Sequence, residues 1–292
     1  MQRLEGHGQS GRAGQRALAQ RMSGRDVAGR LRPACRRALL LVVAVGVLAA
    51  VGRSHGGEGG RSPGGEPSAE VERLLERLDE HGRTLREFVA QVALSESDAS
   101  TGLGSVRTGV VRYQAAGAAG SPRLRVSFVS RAEDDGPPRA ERLEYLLDGP
   151  WLTERNYRRK AEVRRQVVRP GQTLNLFRLG EGPFPLPIGQ KPQDVHLQFE
   201  VSLLEGEANA LRLIPREGTR LWSRFATIDV WVDEQTGFPV KIETLNRQET
   251  TVRTTVLSDL KLNPPEGLPD DAFVLEPVDD TWKRTEEAFD EG

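Results

Sequence analysis

The sequence predicts a mainly antiparallel β protein. Apolar and polar residues alternate along many short segments, turn signals between those segments fall at hairpin spacing, and a single stretch near the start of the folded part shows helical spacing.

That stretch opens at Pro67 and Ser68, where Val71, Leu74, Leu75 and Leu78 recur at i, i+3, i+4 and i+7, and Gly82 is expected to end it. After Thr84 the period changes from 3.6 to 2: Phe88, Ala90, Val92 and Leu94 alternate with more polar neighbours, as a strand with one buried face requires. The same alternation returns in Leu124, Val126 and Phe128, then in Val195, Leu197, Phe199, Val201 and Leu203, expected as one strand. It continues in Leu211 and Leu213, in Ile228, Val230 and Val232, in Val240 and Ile242, and in Val252, Thr254 and Val256. About ten strands are expected.

Between them lie Asp135-Gly136-Pro137-Pro138, Asp148-Gly149, Arg169-Pro170-Gly171 and Asp233 to Gly237. No connection carries a helical crossover long enough for parallel pairing, so the sheet should be antiparallel and largely meandering. Residues 180–194 interrupt the pattern, because Pro183, Pro185 and Pro187 stand between Phe184, Leu186 and Ile188; such proline density suits an ordered extended loop or lid. From Thr281 the only large apolar residues are Trp282 and Phe289 amid acidic neighbours, which reads as a short docked helix or a frayed tail.

The amino-terminal part differs in composition. Residues 1–37 carry nine arginines against Glu5 and Asp26, whereas the whole chain has a net charge of −1. An uninterrupted apolar run, Ala38 to Gly52, follows Arg36 and Arg37, the pattern of an export signal. As a helix it would rise only ~22 Å, short of the ~30 Å hydrocarbon core, which favours a cleaved signal over a retained inner-membrane anchor. Residues 53–67 are a Gly/Ser/Pro-rich tether. The expected organisation is therefore a lead and signal over 1–52, the tether over 53–67, a folded domain over 68–280 and an acidic tail over 281–292, in a monomeric protein exported to the periplasm.

Composition also restricts the chemistry. The only cysteine, Cys35, precedes the apolar run, so the part that follows has no disulfide, no thiol nucleophile and no lipid-modifiable cysteine. Beyond the apolar run the histidines are His55, His81 and His196, with no pair at i+2 to i+4, so neither a catalytic constellation, a metal site nor a cofactor is expected. The acidic balance argues against nucleic acid.

What remains is binding. Leu124, Val126, Phe128, Leu197, Phe199, Leu213, Ile228, Val230, Val232 and Ile242 form inward apolar rows that would line a lipid cavity or make the ordinary core of a one-sided sheet. Arg155, Arg158, Arg159, Lys160, Arg164 and Arg165 surround Tyr157 in a basic hairpin. Arg158, Arg159 and Lys160 would meet an anionic headgroup or a partner's acidic surface, or simply be solvated.

Several landmarks in order resemble the periplasmic lipoprotein-carrier (LolA-like) family over Glu70 to Val278. They are Gly109, Pro122-Arg123-Leu124-Arg125-Val126, Asp148-Gly149-Pro150-Trp151-Leu152, Leu211 to Arg216, Phe225 to Val232, and Ala272 to Pro277. The resemblance implies a curved antiparallel sheet, an open and incomplete barrel whose concave apolar face is covered by helices. It also implies carriage of lipid or acylated lipoprotein, with membrane-bound release and acceptor proteins as partners. The family's gating arginine falls at Ser121, so Arg123 or Arg125 substitutes or the gate is absent; Arg125, Trp151, Phe184, Leu186 and Ile188 are the expected lid or mouth. The alternative is a membrane-tethered sensing or interaction module of the same fold, as in the sigma-factor regulator RseB.

Overall fold

A computed structural model describes residues 68–117, 120–134, 136–169 and 188–289. The apolar run 38–52, the tether 53–67, and Phe184 and Leu186 of the proline-rich segment lie outside the described residues.

The leading helix, α1 (Ala69–Thr84), begins where Ser68 caps it, its hydroxyl accepting from the Val71 N–H at 3.3 Å. Glu70 and Glu72 in the first turn and His81 and Arg83 in the last complement the helix dipole. Val71, Leu74, Leu75 and Leu78 are buried, as their spacing predicts. Gly82 does not end the helix. It sits inside the last turn because a Cβ there would overlap the backbone of Gly189, so glycine serves a close approach rather than a stop.

Eleven strands precede a last one at the carboxyl end. The first six are β1 (Glu87–Asp98), β2 (Gly104–Gln114), β3 (Arg123–Glu133), β4 (Arg139–Asp148), β5 (Trp151–Asn156) and β6 (Ala161–Gln166). After a short helix, α2 (Pro192–Gln198), come β7 (Phe199–Leu203), β8 (Ala210–Pro215), β9 (Phe225–Val232), β10 (Pro239–Asn246), β11 (Thr251–Leu262) and β12 (Lys283–Glu287).

All belong to one 12-stranded sheet in the order β12-β6-β5-β4-β3-β2-β1-β11-β10-β9-β8-β7. Two meanders, β1–β6 and β7–β11, are joined where β11 returns antiparallel to β1, Val92 opposite Leu257. The sheet is curved and its two end strands do not pair with each other, so it is an open, incomplete barrel. Only β12 is parallel to its neighbour, with Lys283 opposite Ala161 and Glu287 opposite Arg165.

The strand expected over Val195 to Leu203 is two elements. Pro192 stands at the first helical position, where a missing N–H is harmless, and α2 continues to Gln198 before the chain extends at Phe199. Val195 is buried, but Leu197 is 74% exposed and faces away from the sheet. The carboxyl-terminal run is neither helix nor frayed tail, because β12 finds hydrogen-bond partners on the open edge of β6.

The inner face, on which α1 lies, carries Phe88, Ala90, Val92 and Leu94 of β1, then Val111 and Tyr113 of β2. It continues through Leu124, Val126 and Phe128 of β3 and Leu143, Tyr145 and Leu147 of β4. On the other meander it carries Ile242, Val230, Ile228, Leu211 and Leu213, all in the same core cluster as the apolar stripe of α1. Gly109 lies where β2 and β3 slip register; a Cβ would overlap the Ser127 carbonyl, so the strands meet this closely only through glycine. In β11 the phase is opposite to the expected one. Thr255 and Leu257 pair with Leu94 and Val92 on the inner face, and Val252, Thr254 and Val256 face out.

Candidate functional site

The inner face is graded along the strands. In successive cross-strand rows the residues run from Phe88, Tyr113, Leu124 and Leu147, through Ala90, Val111, Val126 and Tyr145, to Val92, Gly109, Phe128 and Leu143. The next row is Leu94, Arg107 and Arg131, and the last is Glu96, Ser105 and Glu133. One end of the face is thus uncharged and largely apolar and the other charged. Burial raises the Tyr113 phenol to about 12 and pushes Tyr145 up as well, so both hydroxyls stay neutral.

At the charged end each of these cations has a carboxylate. Arg107 bonds Glu141 at 2.9 Å, Arg131 bonds Glu133 at 2.9 Å, and Arg253 bonds Glu96 at 2.7 Å. Arg224, at the entry to β9, is different. Its guanidinium is partly buried over the Phe225 ring at 5.0 Å, and among the described residues no carboxylate bonds to it. Burial, and then the charges of Arg220 and Arg253, lower its pKa.

Helix α1 covers the apolar part of this face. Besides its buried leucines, Arg77 donates to the Glu234 carbonyl, Glu72 meets His196 Nε2 at 2.6 Å, and His81 abuts Gly237. His81 and His196 therefore serve helix docking. Among the described residues no group of three metal-ligating side chains comes together, and no helix is long and apolar enough to cross a membrane.

Of the ten residues expected on the concave face, nine lie on the inner face and in one core cluster, with Ile228, Val230, Leu213 and Phe199 fully buried. The tenth, Leu197, lies outside it on α2. Ile188 is buried in that cluster beside Gly82 of α1. Arg123 and Arg125 do not reach the mouth, because they alternate with Leu124 and Val126 and so face outward. Trp151 also faces outward, beneath the Arg164 guanidinium at 4.1 Å.

The outer face explains these residues. Residues 264–278 run across it as a strap from β11 to β12. Arg125 donates to the carbonyls of Ala272 at 3.2 Å and Val274 at 2.9 Å and to Glu144 at 3.0 Å, while Arg123 lies 4.6 Å over the Phe273 ring. At one end of the strap the Leu268 N–H donates to Glu87 at 2.9 Å; at the other Arg142 bonds Glu276 at 2.9 Å.

Beyond the strap, β12 occupies much of the basic hairpin. Arg164 meets Glu286 at 3.0 Å, Arg165 meets Glu287 at 2.6 Å, Lys160 donates to Thr281 at 2.9 Å, and Trp282 packs edge-on against Tyr157. Of the three residues expected to meet a headgroup or partner, Lys160 is thus engaged within the chain, and Arg158 and Arg159 have no side-chain partner among the described residues. Sequence reasoning missed Arg224. Its signal was present in the run Arg220, Trp222, Arg224, Phe225, where cations alternate with aromatics just before a strand.

Comparison with known structures finds similarity to a chain of the MucA/MucB complex of Pseudomonas aeruginosa at 15% identity and a TM-score of 0.40 over 71% of this chain. The match spans 62% of that chain, less than two thirds of its length. A LolA superfamily protein from Nitrosomonas europaea is similar at 14% identity and a TM-score of 0.32, covering 71% of this chain and 99% of that one. LprF from Mycobacterium bovis is similar at 13% identity and a TM-score of 0.34, covering 70% and 99%. No curated protein sequence matches. The family model for the MucB/RseB N-terminal domain matches residues 124–282, from β3 to the residue before β12 and over more than half of the 292 residues. Matched over more than half of its length, the chain belongs to the MucB/RseB N-terminal domain family.

Proposed function

We propose that the protein is an exported, non-catalytic binding protein of the cell envelope that takes up the acyl part of a lipid or lipoprotein between α1 and the inner face. The observation that carries this reading is a broad apolar face, spread over β1–β4 and β8–β10, whose described helical cover is chiefly the single amphipathic helix α1. In the structure these side chains pack against one another and against α1, so a guest chain enters by displacing the helix. Its polar hold includes Arg77 on the Glu234 carbonyl and Glu72 on His196. Each acyl CH₂ transferred to this face contributes about 0.8 kcal/mol, enough for useful and reversible binding of one chain.

Within that reading the family match favours a sensing or interaction module of the RseB kind, tethered or periplasmic, over a shuttle. Lipoprotein carriage is the second reading, favoured by the LolA-like sheet, and would add membrane-bound release and acceptor proteins as partners. Native mass spectrometry with lipid extraction, on protein taken from its own envelope, tests the common part. A one-to-one acylated ligand is expected, with faster amide exchange in α1 once a fatty-acid probe is added. Protein that carries no amphiphile and leaves α1 exchange unchanged with the probe would sink the proposal. Transfer of a labelled lipoprotein between two vesicle populations separates the readings, since a carrier accelerates it and a sensor does not.

A further inference from the structure

Arg224 poses a problem that the fold alone does not solve. A partly buried arginine beside like charges is costly unless an anion meets it, yet among the described residues its guanidinium meets the Phe225 ring at 5.0 Å and the repelling charges of Arg220 and Arg253. Placement adds meaning. Phe225 belongs to the inner core cluster, and Arg253 lies on the inner face, paired in register with Glu96 of β1. Two residues along β11 on the same face, Thr255 pairs with Leu94; its hydroxyl is buried and has no hydrogen-bond partner among the described residues. Going inward, the order is therefore arginines, an unsatisfied hydroxyl and an apolar surface, which is the order of phosphate, ester and acyl chain in an acidic glycerolipid.

We propose that Arg224, assisted by Arg220 and Arg253, binds the phosphate of an acidic acylated lipid at the charged end of the inner face, with Thr255 donating to the ester carbonyl. Glu96 competes for Arg253, so Arg224 is the principal contact. Arginine suits the task because its planar fork matches two phosphate oxygens. The inference rests on the amphiphile-binding reading above and deepens it by naming the headgroup.

The test is calorimetric titration of the full chain with three probes: a lysophosphatidic acid, the monoacylglycerol of the same acyl chain, and inorganic phosphate. The phosphate-bearing lipid is expected to bind at least about tenfold more tightly than the neutral one. R224A should abolish that preference, R224K should restore part of it, and a doubly substituted R158A/R159A control should keep all of it. Equal affinity of the wild type for both lipids overturns the headgroup site and leaves amphiphile binding standing. Binding of neither lipid overturns both. Phosphate bound as tightly as the lysolipid overturns the lipid source and assigns a free-anion site. Because the wild-type comparison decides these outcomes, they hold even if R224A does not fold.

Discussion

Arg125 shows how far a side chain's role depends on the face it occupies. In the chain it reads as a possible replacement for a gate; in the fold its guanidinium clamps the Ala272 and Val274 carbonyls and Glu144 on the outer face. The arginine side chain is 14% exposed and the Glu144 side chain 5%, so the pair is largely out of water. Arg125→Ala would leave Glu144 with only the longer 3.4 Å contact to Arg142. A loss of about 3 kcal/mol is expected, measurable by urea denaturation, together with faster hydrogen exchange over residues 268–276. Unchanged exchange there would mean that the strap is held by Phe273 and Glu276 instead. Arg125 was expected at the lid or mouth, and nothing in the sequence signals that a distant segment would cross the outer face and hold it there. Arg224 was hidden for a related reason, since a lone arginine becomes informative only when its neighbours are known.

At the scale of elements, β2 and β4, though long, were not among the expected rows. The helix α1 and the strands β1, β3, β8, β9 and β10 were legible because each carries its period over most of its length. α2 was not, because Val195, Leu197 and Phe199 satisfy the strand pattern too, and only Pro192 hinted at a helix start. β12 was not, because its five residues are all exposed and no apolar row marks it; the open edge of β6 makes it a strand. Gly82 yields a prediction at this scale. Helix propensity alone says that Gly82→Ala stabilises α1 by about 1 kcal/mol. The added Cβ would overlap Gly189, so the variant should instead be less stable and hold α1 more loosely. A rise in the urea midpoint would show that residues 188–189 yield easily and that α1 is not tightly docked at this point.

For the whole molecule, turn carboxylates set an acid limit. Asp98 is lowered to about 2 chiefly by the Ser100 hydroxyl and then by the Thr101 and Ser100 amides. Asp233 and Asp279 are lowered chiefly by the Thr236 amide and the Thr281 hydroxyl, respectively. A carboxylate whose folded pKa lies below its unfolded value stabilises the fold above the unfolded value and loses that contribution as pH falls through the folded one. Melting temperature should therefore drop between about pH 4 and about pH 2, and Asp98→Asn should shallow that drop while keeping the turn. An identical acid slope in the variant would remove Asp98 from the balance.

By itself the sequence determined the antiparallel β class, the amphipathic α1 and the residues of its apolar stripe, together with the inner rows on β1, β3, β8 and β9. Burial periodicity is local, and these segments are long enough to express it. Only the tertiary structure decided that β11 closes the two meanders against β1, that its inner residues are Thr255 and Leu257, and that the acidic end of the chain neutralises much of the basic hairpin. It also left Arg224 as a cation without an anion among the described residues. Register, crossing segments and charge pairing join residues far apart in the chain, and no local pattern encodes which of the available partners each will meet.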